Sequence, residues 1–291
     1  MGWDMNLTRR GLLMASLAVA TPVRAAPADV YPLWQIAEGS AKVFLFGDCG
    51  SPTDPWRSDR VQAAFDACPT FWKETPDLGP GDIGQFVARG TDHNHPLASW
   101  LTQAQRDRVR AAAHALGLGY DRIEFSQPWL AAAAFAQASA ARQKPSADPL
   151  SVLTAAAGRD GKTVRTEFPD AKSLIDFFAA APPAAQVQYL TYTIDTVEAS
   201  AADPGAWPRR ETAWAAGDLS LETERVLGEM RRYPLCYETQ TAVRNRRWPA
   251  RFRAMLDGGG MTFVLVGADH LVGPESVLSQ LEAAGLRARR R

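Results

Sequence analysis

Two stretches of this chain set candidate functional side chains in the same local frame. Thr262-Phe263-Val264-Leu265-Val266 is an unbroken apolar or β-branched run that ends at Gly267 and leads into Ala268, Asp269 and His270. Such a run predicts a strand buried on both faces. The glycine ends it and lets the backbone turn. Lys42-Val43-Phe44-Leu45-Phe46 repeats the pattern, ending at Gly47 and leading into Asp48, Cys49 and Gly50. Open α/β sheets bind ligands in the crevice beyond the carboxyl ends of their strands. His270, Asp269, Asp48 and Cys49 are therefore expected to line one site, with Gly47, Gly50 and Gly267 shaping its floor. The two stretches differ at the last position, where one has His270 and the other Gly50.

Two carboxylates follow further predicted strands. Glu74 closes the strand 69–74 and Glu167 the strand 163–167. Either one alone reads equally well as a solvated strand end. A fifth feature is Val243-Arg244-Asn245-Arg246-Arg247-Trp248 on a predicted helix. Arg244 and Arg247 are three apart and share a helix face, so one can reach the site while the other pairs elsewhere. A guanidinium is a permanently charged donor fork suited to carboxylate, phosphate or a developing oxyanion. His93-Asn94-His95 carries two of the four histidines. His-x-His chelates a metal from a strand or extended loop, but here it is expected to cap and precede the helix Thr102 to Leu116.

The elements that must position these groups can be read in order. Leu33 to Ala37 and Lys42 to Phe46 form a hairpin around Glu38-Gly39-Ser40. Ser58 caps a helix to Ala67, and the strand ending at Glu74 completes a βαβ unit with parallel strands. Asp77 to Gly90, rich in Gly, Pro and Asp, is expected to be a loop. Helices are expected from Trp129 to Arg142, Leu150 to Ala157, Ala171 to Ala181 and Ala184 to Ala202. More follow from Trp207 to Ala216, Ser220 to Arg231, Glu238 to Leu256 with a local break before Pro249, and Pro274 to Ala284. Leu286 to Arg290 is a candidate edge strand. The fold class is α/β (α+β): a mixed central sheet built from the N- and C-terminal segments, with a central helical cap at about 97–257 in one domain, 26–291.

The chain has 291 residues, 46% hydrophobic and 22% charged, which suits a globular domain of this length. Its formal net charge is zero, so there is no electrostatic footprint for nucleic acid. Thr8-Arg9-Arg10-Gly11-Leu12-Leu13 before the apolar run Leu12 to Ala20 is a twin-arginine pattern. The run is too short to span ~30 Å of hydrocarbon as a helix. Val23-Arg24-Ala25 supplies a cleavage site after Ala25, so residues 1–25 are expected to be a twin-arginine signal peptide. The mature chain is then periplasmic or otherwise exported, with no transmembrane segment. The three cysteines, Cys49, Cys68 and Cys236, leave at least one thiol unpaired, and Cys49 and Cys68 are placed where a bridge could form in an oxidising compartment.

Taken together, the ordered features resemble the TraB/GumN family, a group related to the Wnt-cleaving TIKI proteases. The resemblance rests on Leu33-Trp34, the strand to Gly47, Trp56-Arg57-Ser58, Glu74, the strand to Glu167, and Trp214-x-x-Gly217-Asp218. It continues through Arg244-Asn245-x-x-Trp248 and Gly267-Ala268-Asp269-His270-Leu271-Val272-Gly273. It implies a metal-dependent hydrolase, with Mn, Co or Zn, acting on a peptide or another amide or ester. It also implies Glu74 and His270 as metal ligands or general base, and Arg244 and Asn245 as stabilisers of charge. The first Gly-x-x-His motif of that family reads Gly47-Asp48-Cys49-Gly50 here. Asp48 or Cys49 would have to replace the missing ligand, or His93 or His95 would have to swing in. The alternative is a catalytically inactive periplasmic binding protein that keeps the crevice, with a small-molecule or peptide ligand. A redox role for Cys49 in the histidine slot is a third reading.

Overall fold

The computed structural model describes residues 30–50, 56–142 and 148–291. The signal peptide expected at residues 1–25 lies outside the described residues. Strands β1 (Leu33–Glu38) and β2 (Ala41–Asp48) form the expected hairpin, with Leu33 opposite Phe46 and Glu38 opposite Ala41. Helix α1 (Asp59–Asp66) starts where the Ser58 hydroxyl accepts the Val61 amide at 3.0 Å. Strand β3 (Thr70–Lys73) follows.

The expected loop at 77–90 is a helix, α2 (Pro80–Gly90). Gly81 and Gly84 argued against it, but the end is well built: Pro80 takes the first turn, and Asp82 accepts the Gly79 amide at 2.9 Å. Tertiary packing does the rest, with the Phe86 ring set edge-on to Trp129, centroids 4.9 Å apart.

The cap contains α3 (Gln103–Leu116), α4 (Pro128–Ala140), α5 (Pro149–Arg159), α6 (Ala171–Ala179) and α7 (Pro183–Ala202), with strand β4 (Thr163–Thr166) between α5 and α6. It continues through α8 (Ala206–Ala215), α9 (Ser220–Arg232), α10 (Pro234–Tyr237), a π-helical turn over Glu238–Ala242, α11 (Val243–Asn245) and α12 (Trp248–Asp257). Strand β5 (Met261–Gly267), a 3-10 turn over Ala268–Leu271, helix α13 (Val277–Ala283) and strand β6 (Arg289–Arg290) close the chain. The helix expected from Pro274 begins only after Ser276, whose hydroxyl caps the Ser279 amide at 3.2 Å. The break expected before Pro249 falls just ahead of Trp248, and a π-helical turn over Glu238–Ala242 interrupts the segment earlier still.

The sheet is mixed, in the order β4-β3-β5-β2-β1-β6. β4, β3, β5 and β2 run parallel, and the β1 and β6 pairings are antiparallel. β5 sits between β2 and β3, so the two strands of the βαβ unit are parallel but not neighbours. β4 is the strand expected at 163–167, and it joins the sheet as an edge strand from inside the helical cap.

Alternate residues of the central strands face opposite ways. Phe46, Phe71, Phe263 and Leu265 pack with α1 and α5 on one face. Val43, Leu45, Val264 and Val266 pack with α12 and α13 on the other. A separate apolar core joins α3, α4 and α7. This double coverage explains why the β2 and β5 runs are continuously apolar.

All three cysteines are free and buried, and Cys49 and Cys68 are not bridged. The Cys68 thiol instead donates to the Ala64 carbonyl within its own helix turn at 3.2 Å.

Candidate functional site

The four parallel strands direct their carboxyl ends to one edge. Asp48 ends β2, Glu74 follows β3, Glu167 follows β4, and Gly267 carries β5 into the turn bearing His270. The pairing of Asp48 with Gly267 puts the two glycine-ended stretches side by side. The strand ends that carry these residues therefore lie together at one edge of the sheet.

Glu74 is its hub. Its carboxylate accepts the Gly267 amide through one oxygen. The other oxygen takes the Arg244 guanidinium and lies 3.4 Å from His270 Nε2. Arg244 also reaches Glu167, with Nε 3.0 Å and Nη2 2.5 Å from Oε2. The Glu167 side chain is wholly buried, and Arg251 Nη1 lies 3.3 Å from its second oxygen. The short helix bearing Arg244 thus ties two strand ends together through one guanidinium.

Asn245 sets the histidine. Its side-chain amide donates to the Glu275 carbonyl at 2.8 Å, which leaves Oδ1 facing His270 Nδ1 at 2.5 Å. Nδ1 therefore carries a proton and Nε2 is the atom turned to Glu74. Burial, with Arg244, pushes the His270 pKa down, but the Glu74 and Asp269 carboxylates together hold it above the ordinary 6.5. Burial pushes Glu74 up, but His270 and Arg244 together hold it well below 4.5. Both shifts favour the charged pair over the neutral one.

The other slot is built differently. Asp48 accepts the Gly50 amide at 2.7 Å, yet burial lifts its pKa to about 7. Burial lifts the Cys49 thiol to about 12, which favours its protonated form. The Gly47 carbonyl accepts the Trp214 indole N–H at 2.6 Å. A Cβ on Gly47 would lie 2.6 Å from Leu271 Cδ1, so the leucine side chain would have to shift to admit one. Gly50 has a φ of +92°, and a Cβ on it would lie 2.9 Å from the Trp207 ring. The slot that holds His270 on one strand is covered by an indole on the other.

Asp269 accepts the His270 amide at 3.1 Å, and its second oxygen lies 3.8 Å from Arg225. Arg225 pairs with Glu222 and Glu229 and donates to the Tyr192 hydroxyl at 2.9 Å. This second ionic group was not expected from the sequence. Its signal was the spacing of Glu222, Arg225 and Glu229 along one face of α9.

These donors do not fit a resident divalent ion. The Glu74 oxygen that faces His270 is already bonded to a guanidinium. Among the described residues no group of three or more His, Cys, Asp or Glu side chains is placed to hold a metal. His95 is exposed with Nδ1 2.9 Å from Asp92, and the His93 ring packs 5.0 Å from that of Phe125. Neither lines the crevice.

A cavity of about 210 Å³ opens beside His270 and Arg244. Through Tyr192, Glu229, Tyr233 and Asp269 it shares walls with a groove of about 840 Å³ that reaches Asp48, Cys49 and Trp207. The TraB/PrgY/gumN family model matches residues 32–290. This chain belongs to that family. No curated protein and no solved structure matches it. In this TraB/PrgY/gumN chain no helix among the described residues is long and apolar enough to cross a membrane. The match runs from the residue before β1 into β6, so every strand end of the crevice falls within it.

Proposed function

We propose that this TraB/PrgY/gumN chain is an exported binding protein that takes a peptide or another amide- or ester-bearing molecule in the strand-end crevice, without metal-assisted hydrolysis. The observation that carries this reading is the commitment of Glu74. Its carboxylate is bonded by Arg244 and the Gly267 amide and faces His270. A general base works best with a pKa near the operating pH, and Glu74 is held far below it. The ion-paired hub instead gives a fixed, preorganised wall of N–H donors and carboxylates against which a polar ligand can register.

A specific observation favours a second reading, hydrolysis. Asp48 has its pKa near 7 at the same edge, which suits a proton acceptor. One experiment separates the two. The purified chain is analysed for bound metal, then incubated with a peptide mixture and with amide and ester reporters, with and without manganese, cobalt or zinc. Substoichiometric metal, saturable binding and no turnover are expected. Turnover that disappears in both Asp48→Asn and His270→Gln would overturn the binding reading in favour of the hydrolase.

Export is the other half of the proposal and is carried by Arg9-Arg10 ahead of the apolar run. Residues 1–25 fused to a folded reporter are expected to deliver it across the bacterial inner membrane. The Arg9→Lys/Arg10→Lys fusion should remain inside, and unchanged delivery would refute the twin-arginine route.

A further inference from the structure

The cavity beside His270 is walled largely by aromatic rings. Phe178, Tyr189, Tyr192, Tyr233 and Tyr237 line it, and the Arg244 guanidinium reaches it from the ion-paired hub. At about 210 Å³ it is smaller than the ~300–1,000 Å³ pockets that enclose whole drug-sized ligands. It suits one side-chain-sized group of a longer molecule whose remainder lies along the adjoining groove.

Two further observations say what that group is. Tyr237 is 7% exposed, and its hydroxyl is buried without a hydrogen-bond partner among the described residues. A buried hydroxyl left unpaired is costly, so the guest that offers it an acceptor is favoured over one that does not. The acceptor is neutral, because Glu229 and Asp269 also line the cavity and repel an anion. The segment directly after Tyr237 is the π-helical turn, and Gln240 and Thr241 from it line the same cavity. Single π-helical turns recur at functional sites, where the extra residue redirects side chains.

We infer that this cavity is a specificity pocket for a planar aromatic group carrying a neutral hydrogen-bond acceptor. The ring packs among the tyrosines and over the Arg244 guanidinium, and the acceptor is met by the Tyr237 hydroxyl. Planar guanidinium and aromatic faces attract one another, and offset or edge-on ring contacts add to area burial. The inference rests on the binding reading above and assigns its ligand class.

The test is calorimetric titration of the full chain with N-acetyl-tyrosinamide, N-acetyl-phenylalaninamide, N-acetyl-leucinamide and N-acetyl-alaninamide. Affinity is expected to fall in that order, by about fivefold from the first to the second and about tenfold from the second to the third. Tyr237→Phe removes one oxygen without changing shape, and circular dichroism checks its fold. It should erase the difference between the first two probes and leave the phenylalanine and leucine probes unchanged. Equal binding of all four probes, or a tyrosine preference that survives in Tyr237→Phe, would overturn the pocket while leaving the crevice a binding site. Absence of binding by every probe would also overturn it, and the binding reading would still be judged by its own peptide-mixture experiment.

Discussion

Arg244→Met is the sharpest probe of the hub. Methionine keeps most of the buried stem but removes the fork that bonds Glu74 and Glu167, whose side chains are 21% and 0% exposed. Removing one partner of a buried ion pair costs ~3–5 kcal/mol, because a charge is left without compensation. Glu167 keeps Arg251 at 3.3 Å, and Glu74 keeps the Gly267 amide and His270, so the lower end, ~3 kcal/mol, is expected. With a urea slope of ~3 kcal/mol/M for a chain of this size, the midpoint should fall by about 1 M. Adding Glu167→Gln to Arg244→Met should cost less than Glu167→Gln alone, with a coupling of ~1–3 kcal/mol. A midpoint shift under roughly 0.3 M, or strict additivity of the two substitutions, would refute the hub as an electrostatic unit.

Further outcomes follow from the same geometry. His270 has its pKa held above 6.5, so its contribution is full below that pH and is lost as pH rises through the folded value. Glu74 has its pKa lowered below 4.5, so its contribution is present above that pH and is lost as pH falls through the folded value. Thermal melts should therefore peak between these limits, and His270→Gln should flatten the alkaline side; an unchanged alkaline slope would exclude the charged histidine. Trp214→Phe strands the Gly47 carbonyl that accepts the indole N–H and should cost ~1–3 kcal/mol in urea unfolding; a neutral effect would argue that water replaces the indole. Asp48, with a pKa near 7, should titrate in carboxyl-resolved NMR close to neutrality, and a midpoint near 4 would contradict its burial.

The core of the fold is legible because its signals are local and strong. The β2 and β5 runs end in glycine and are covered on both faces, and Ser58 and Thr102 mark their helix starts through side-chain caps. The strand-end placement of Glu74, Glu167 and His270 follows from the same alternation of elements. Helix α2 was hidden because its glycines outweigh its caps in any local count, while the Phe86–Trp129 contact that supports it is set by distant sequence. The order of the sheet was hidden too, since inserting β5 between β2 and β3 is decided by which apolar faces meet. The ion pairs are a third kind of omission. Sequence puts Arg244 on a helix face, but only the fold brings both carboxylates to its fork.

The asymmetry between His270 and Gly50 is a packing matter as much as a chemical one. Returning a histidine to position 50 asks an L-residue to adopt a φ of +92° and places its Cβ 2.9 Å from Trp207. The ring cannot move freely, because Arg210 lies over it with 4.1 Å between its guanidinium carbon and the ring centroid. Gly50→His alone should therefore destabilise the chain by about 1–3 kcal/mol, the cost of a strained backbone position, and should not confer metal affinity. Combining it with Trp207→Ala removes the clash but keeps the unfavourable φ, so only part of the loss should be recovered. Differential scanning calorimetry of the single and double variants, with and without manganese, checks both statements. Tight manganese binding by Gly50→His with Trp207 intact would show that the slot opens more easily than its packing allows, and the indole would lose its standing as the group that closes it.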